Sequence, residues 1–271
     1  MKTIQEQAKE LWRETFGDST DYIDKFFNLY FKKNYFFHLE EDGKLLSMLF
    51  ATEHKLKIDE KTLPIAYIGS VCTQENYRKK GLATLLMEKA EKELKTLGKK
   101  AIILIAAHEG LVPFYEKMGY SLCGIEGIKK ISYKENLKIK DEFRIENTSN
   151  FDFDFINQVQ QKRNKCIIHN EETLKLYTIT DYKIINLYHN STLLAQCVAI
   201  VDWDTIEILD CFSLEEETAE ILAKKVSLKY KKDVNLKYFP FTEKTPSTIE
   251  MIKPLEQGLV NEIYMSLNLD T

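Results

Sequence analysis

The sequence predicts an α/β chain in which two mixed sheets, each flanked by helices, follow one another. Three observations carry that expectation. Apolar residues recur at helical spacing in some segments and at strand spacing in others, in the order α-α-β-β-β-α-β-α over the first half. The second half repeats this grammar more faintly, as a helix, three strands, a helix and two strands. Glycine is also partitioned: nine of the ten glycines precede residue 128, and only Gly258 follows. A chain of 271 residues, 44% hydrophobic, suits about two domains. The polar stretch Lys134 to Lys138 is the expected join, giving domains at 1–135 and 136–271.

The elements follow in order. Ile4, Ala8, Leu11, Trp12 and Phe16 mark one face of a helix that ends near Gly17. Ser19 can cap a second helix, which carries the aromatic run Tyr22 to Phe31. Strands are expected over Tyr35 to Leu39, Leu45 to Leu56 and Leu63 to Cys72, with turns at Asp42-Gly43 and Asp59-Glu60. Leu82, Leu86, Ala90, Leu94 and Leu97 form a strong helix stopped by Gly98. Ala101 to Ala106 reads as a buried strand, and Pro113 to Lys117 as a short helix ending at Gly119. In the second half the helices are Phe153 to Lys162 and Leu214 to Tyr230. Its strands are Tyr182 to Tyr188, Leu193 to Val201, Thr205 to Phe212, Val234 to Phe239 and Glu262 to Leu269.

Composition excludes several classes. The 38 bases and 42 acids leave a net charge of −4, whereas nucleic-acid proteins carry a basic surplus. No apolar run approaches the ~18 residues that cross a bilayer, and the polar start Met1 to Glu6 is no signal peptide. Five cysteines, Cys72, Cys123, Cys166, Cys197 and Cys211, are scattered singly, which suits reduced thiols. With five dispersed histidines there is no metal signature. The expectation is a cytoplasmic protein without metal, membrane or nucleic-acid partner.

The join between the third strand and the long helix is the segment that carries chemistry. There Ser70 to Thr73 leads through Arg78-Lys79-Lys80-Gly81 into Leu82-Ala83-Thr84. Helix N-termini present unpaired N–H groups and partial positive charge, so anions bind there. Gly81 and Ala83 are small enough for a phosphate to approach the backbone, and three bases add charge. An ordinary basic turn before a surface helix fits this segment about as well. The pattern is neither a P-loop nor G-x-G-x-x-G, so NAD is not indicated. Further along, Leu104 to Tyr120 sets Phe114-Tyr115-Glu116-Lys117 and Gly119-Tyr120 just beyond a strand.

Together, R-x-x-G-x-A after a strand and F-Y-E-K-x-G-Y beyond it resemble the GNAT acyltransferase superfamily, over roughly residues 1–130. The second half resembles the degenerate copy of bacterial tandem-GNAT proteins. The resemblance implies an N-acetyltransferase moving an acetyl group from acetyl-CoA to a primary amine of a small molecule or peptide. It implies pyrophosphate on the backbone of Lys79 to Thr84, with Arg78 alongside. Pantetheine would pair with Val71, Cys72 and Thr73, in a cleft where that strand parts from Ile102 to Ile105. A backbone N–H near Val71 or Cys72 would face the oxyanion, and Tyr115 would protonate the leaving thiolate. The other reading of Tyr115 is core with a satisfied hydroxyl. Many relatives have Asn where His108 stands, and proline where Thr73 stands.

Other residues keep two readings. His108 is either a proton relay or a loop residue bonded to backbone; Glu109 is either a base or a charge at a helix start. Glu53 and His54 face opposite sides of a strand, so at most one looks into the cleft. Cys72 invites an acyl-enzyme route, but no His–Asp pair is spaced to activate it, which favours direct transfer in a ternary complex. Tyr30, Phe31, Tyr35, Phe36 and Phe37 read as core whose edge can line an acceptor pocket. In the second half, Ile208 to Ala219 has four acids, no base and no glycine, so that half is expected to bind no CoA. Its expected use is walling the acceptor cleft or making a homodimer contact. The reading from a different class is a catalytically silent CoA-binding sensor or assembly module.

Overall fold

The computed structural model describes residues 2–31, 35–137, 139–140, 142–240, 244–256 and 263–265. Helix α1 (Ile4–Phe16) begins with a capping box between Thr3 and Glu6 and ends at Gly17, left-handed at φ 78°. Ser19 caps α2 (Thr20–Tyr30). Strands β1 (Phe36–Glu41) and β2 (Lys44–Ile58) form a hairpin whose Asp42 and Gly43 both take positive φ, as a tight two-residue turn requires. β3 (Lys61–Thr73), α3 (Leu82–Thr96), β4 (Ala101–Ile105) and α4 (Val112–Glu116) follow as expected. Two strands of the first half were not expected: β5 (Ser121–Leu122) and β6 (Ile125–Ile131).

The second half contains β7 (Phe143–Thr148), α5 (Phe153–Lys162), β8 (Cys166–Ile168) and α6 (Glu171–Thr178). After them come β9 (Lys183–His189), β10 (Thr192–Val201), β11 (Thr205–Ser213), α7 (Glu216–Tyr230) and β12 (Asp233–Tyr238). Two short strands, β13 (Thr245–Pro246) and β14 (Glu250–Pro254), precede residues outside the description. The expected strand over Glu262 to Leu269 lies mostly outside the described residues. Of it, Ile263 and Tyr264 make isolated bridges to Gly124 and Cys166.

Among the described residues the strands form two seven-stranded sheets. The first runs β1-β2-β3-β4-β14-β5, with β8 pairing the far end of β2; the second runs β13-β6-β12-β11-β10-β9-β7. The unit β9-β10-β11-α7-β12 repeats β1-β2-β3-α3-β4, each with two antiparallel pairs and one parallel pair. The sheets do not divide at the join near residue 135. β6 precedes that join yet pairs with β12, and β14 follows it yet pairs with β4. Each sheet therefore takes the neighbour of its parallel pair from the other half of the chain. Local periodicity carries no record of such long-range pairing.

Helices α3 and α4 cover one face of the first sheet, where Leu86, Ala90 and Leu94 meet Ala66, Ile102 and Leu104. The opposite face carries α1 and α2, with Trp12, Phe26 and Phe27 against Phe50. Leu176 of α6 joins that second cluster, and the Tyr30 hydroxyl donates to the Glu172 carbonyl at 3.2 Å, so part of the second half walls this face. Among the described residues no helix is long and apolar enough to cross a membrane.

The two chain crossings meet at Gly124. The Ser247 N–H donates to the Gly124 carbonyl at 2.8 Å, and the Cys123 N–H to the Glu250 carbonyl at 3.0 Å. Beside them Lys237 bridges Glu126 at 2.5 Å and Glu250 at 2.9 Å. Burial pushes the Glu250 carboxyl up to about 7, with the Glu126 charge adding to the rise and Lys237 opposing it; Glu250 Oε2 has no hydrogen-bond partner among the described residues.

A Cβ at Gly124 would stand 1.9 Å from Glu250 Oε2 and 2.7 Å from the Ser247 Cβ. Gly124→Ala must therefore push the two crossing segments apart. We expect a loss of about 1–3 kcal/mol in chemical denaturation. Unchanged stability would mean that the crossings are looser than described.

Candidate active site

The site begins where a strand pair separates. β3 and β4 pair in parallel only at Ala66 with Ile102 and Tyr67 with Ile103. Beyond that point β4 continues alongside β14, and β3 stays with β2. Between the pairs Phe50–Gly69 and Met48–Cys72, β3 sets two residues, Ser70 and Val71, against the single Leu49 of β2, which is a β-bulge. The left-handed residue of the bulge is Ser70 (φ 54°), one position after Gly69. Gly69 is needed for space, since a Cβ there would lie 2.9 Å from the Tyr67 ring.

The separation opens a cleft of about 460 Å³. The bulge residues Ser70 and Val71 form one wall and Tyr115 with Leu111 another, while Trp12, Asp18 and Tyr22 reach in from α1 and α2. Tyr115, 7% exposed, is set on α4, a helix begun by Pro113. Its ring packs 5.1 Å from Phe114 and 5.9 Å from Tyr120, centroid to centroid. His108 and Glu109 are exposed on the turn after β4 and do not line the cleft. The structure thus brings Tyr115 to Val71 and leaves the other two catalytic candidates outside.

The loop from Arg78 to Thr84 enters α3 through two left-handed residues. Lys79 and Gly81 are both left-handed (φ 61° and 78°), and Gly81 starts α3 without any side-chain cap. The helical bonding begins with the Leu85 N–H to the Gly81 carbonyl at 3.0 Å, so the N–H groups of Leu82, Ala83 and Thr84 lack helical acceptors. No acid occupies the first turn. The side chains are less free than the sequence suggests. Arg78 Nε donates to the Thr73 carbonyl at 3.1 Å, bracing the loop on β3. The Lys80 and Lys44 ammonium groups sit 4.8 and 4.9 Å from the Tyr77 ring centre. Lys79 remains exposed.

Cys72 contributes backbone, not thiol. Its side chain is 4% exposed in the core under α1 and α2, and burial pushes the thiol up to about 12. A group so protonated is no nucleophile at neutral pH. The Ser47 hydroxyl donates to the Cys72 carbonyl at 3.0 Å and meets Thr73 Oγ1 at 2.9 Å, which fixes this stretch on its β2 side. Its β4 side is unpaired beyond Tyr67 among the described residues. Of the strand pair Glu53 and His54, Glu53 pairs outward with Lys99, while His54 is buried against Thr52 Oγ1 at 3.0 Å. Burial pushes the His54 imidazole down to about 3, so it stays neutral. Among the described residues no cluster of three or more His, Cys, Asp or Glu side chains could hold a metal.

Sequence reasoning missed Trp12, Asp18 and Tyr22 as cleft residues. The signal available was the break Gly17-Asp18-Ser19 between two helices, which sets a carboxylate at a sharp corner. The second sheet treats its matching separation differently. β11 pairs with β12 only as far as Ile208 with Leu236. The next stretch is occupied by Arg163, 3% exposed, whose Nη2 donates to the Cys211 carbonyl at 2.6 Å. Its guanidinium lies 5.3–5.4 Å from the rings of Phe212, Phe239 and Tyr264.

Residues 2–123 match the family model of the acetyltransferase (GNAT) domain. No curated protein matches in sequence. Solved structures share the fold over almost the whole chain. A GCN5-related N-acetyltransferase from Anabaena variabilis ATCC 29413 is similar at TM-score 0.74 and 15% identity, over 93% of this chain and 70% of that one. A conserved protein of unknown function from Enterococcus faecalis V583, described as a probable N-acyltransferase, gives 0.72 at 15% identity with the same coverage. Eis1 from Mycobacterium abscessus gives 0.66 at 10% identity, again over 93% and 70%.

All five cysteines are buried and unpaired. In the folded protein at pH 8, an aromatic disulfide reagent should therefore label them at least roughly 100-fold more slowly than free cysteine. Guanidinium should release all of them at once. Fast labelling mapped to Cys72 would restore an acyl-cysteine route.

Proposed function

We propose that residues 2–123, a GNAT acetyltransferase domain, move an acetyl group from acetyl-CoA to a primary amine of a small molecule or peptide by direct transfer in a ternary complex. The observation that carries this is the cleft between β3 and β4, bounded by the bulge and by Tyr115, beside an uncapped helix N-terminus. The residues present fit the cosubstrate. Gly81 leaves open space where a Cβ would stand, and the first turn of α3 presents N–H groups without an acid to repel phosphate.

In this reading the N–H groups of Leu82, Ala83 and Thr84 hold the pyrophosphate. Lys79 and Lys80 add positive charge, and Arg78 keeps the loop in register with β3. The open edge at Val71, Cys72 and Thr73 pairs with the pantetheine arm. Acetyl-CoA supplies the acyl group as an activated thioester. A backbone N–H of Val71 or Cys72 faces the oxygen on which charge develops, and Tyr115 holds at Oη the proton for the leaving sulfur. His108 and Glu109 take no direct part, because neither lines the cleft. The second sheet has no CoA site of its own: Arg163 occupies the matching edge, and Glu216 and Glu217 already sit at the N-terminus of α7. It acts as a wall, and the protein works in the cytoplasm.

Release of free thiol from acetyl-CoA in the presence of an amine panel tests the activity directly. CoA binding without any thiol release would favour the silent binding module instead.

Two variants separate binding from chemistry. Gly81→Glu sets a negative charge, in a strained backbone position, at the helix N-terminus; calorimetry should show CoA affinity falling at least tenfold in a folded protein. Unchanged affinity would remove the loop from the site. Tyr115→Phe keeps the ring packing and removes the hydroxyl. CoA affinity should persist while turnover drops by roughly 10- to 1,000-fold. Wild-type turnover would mean that another group protonates the thiolate.

A further inference from the structure

The cleft holds one charged side chain among its described lining residues, Asp18. Its position is fixed by sequence on both sides. Gly17 ends α1 in the left-handed region and Ser19 caps α2, so the residue between them has little backbone freedom. The side chain is fixed as well. The Trp12 indole Nε1 donates to Asp18 Oδ2 at 2.6 Å, and Trp12 itself is 4% exposed. No lysine or arginine among the described residues pairs with Asp18, and Oδ1 accepts no bond from them. Three rings line the same cleft as this carboxylate: Trp12 lies 5.7 Å from Phe16 and 6.4 Å from Tyr22, both edge to face. The rest of the lining is mostly apolar, with Ile68, Val71, Ile105 and Leu111 beside Ser70 and Tyr115.

A held carboxylate with a free oxygen, in a cleft also lined by aromatic rings, is the chemistry that recognises an organic ammonium ion. We infer that the acceptor is a monoamine with an uncharged, apolar body, recruited as its ammonium form by Asp18. This rests on the acyltransfer reading above and sharpens it. The same geometry sets three exclusions. An amino acid with a free carboxylate would bring a second negative charge beside Asp18, with no cation in the described lining to offset it. A phosphorylated amine fails for the same reason. A polycation would find one carboxylate for several charges. Aromatic and aliphatic amines with neutral bodies remain, and their bodies find the apolar lining.

The test titrates 2-phenylethylamine and phenylalanine into the protein by calorimetry, with and without CoA. The same titrations are made on Asp18→Asn, which keeps an oxygen for the Trp12 indole. We expect 2-phenylethylamine to bind at least tenfold more tightly than phenylalanine. Asp18→Asn should lower the 2-phenylethylamine affinity at least tenfold, narrow the discrimination, and leave CoA affinity unchanged. Equal binding of the two ligands, absent binding of 2-phenylethylamine at millimolar concentration, or an indifferent Asp18→Asn would overturn the inference. Thiol release from acetyl-CoA is read separately. Amines that bind through Asp18 and are never acetylated would sink the transfer reading while leaving the ammonium site in place.

Discussion

Everything in this protein turns on a parallel strand pair that separates after two residues. Backbone N–H and C=O groups released from a sheet must find partners or face water. β4 finds its partner in β14, a strand delivered from the far half of the chain. Among the described residues β3 has none on that side beyond Tyr67, and the bulge at Ser70 lies in this unpaired stretch. The result is an open edge with a cleft beside it, walled by strand residues on one side and by helices and their connecting turns on the others. Helix α3 leaves β3 from the same place, so its uncapped N-terminus and the open edge are fixed relative to each other by one short loop. Arg78, bonded to the Thr73 carbonyl, tightens that connection.

The second sheet meets the same physical problem and solves it from within. Its separated edge on β11 accepts a hydrogen bond from Arg163, and three aromatic rings close around the guanidinium. A buried arginine needs partners; here the Cys211 carbonyl, Asp210 at 4.0 Å and the rings serve the guanidinium while Nε has no hydrogen-bond partner among the described residues, and Asp210 in turn accepts the Tyr264 hydroxyl at 2.8 Å. Two sheets with the same strand grammar thus diverge by one residue's worth of filling. One keeps a void that can be used, and the other converts it into core.

Much of this was legible in the sequence wherever the cause was local. The ends of α1 and α2 follow from Thr3, Gly17 and Ser19, and α5 begins and ends where its periodicity says. The loop at Gly81 was visible because a left-handed residue before a helix needs glycine. The exchange of β6 and β14 was not visible, because strand pairing across more than a hundred residues leaves no local mark. α6 escaped for a related reason: its eight residues hold too few turns for a clear apolar stripe. His108 looked promising by its place after a strand, but only the geometry tells which way that turn faces. Asp18 was passed over as a lone acid between helices; its meaning comes from Trp12 and from a cleft wall drawn from residues fifty or more positions away.

The crossing of the two halves at Gly124 also has a consequence for how the molecule is made. During synthesis the first sheet waits with the β4 edge bare until the segment around residue 254 leaves the ribosome, since β14 lies between β4 and β5. Meanwhile β6, emerging much earlier, has no β12 to join. Neither half can reach its finished state and wait for the other, so the last step is a mutual closure in which both sheets are completed together. A nascent chain of this kind carries exposed strand edges for most of its translation, which is a burden for chaperones rather than for the mature protein.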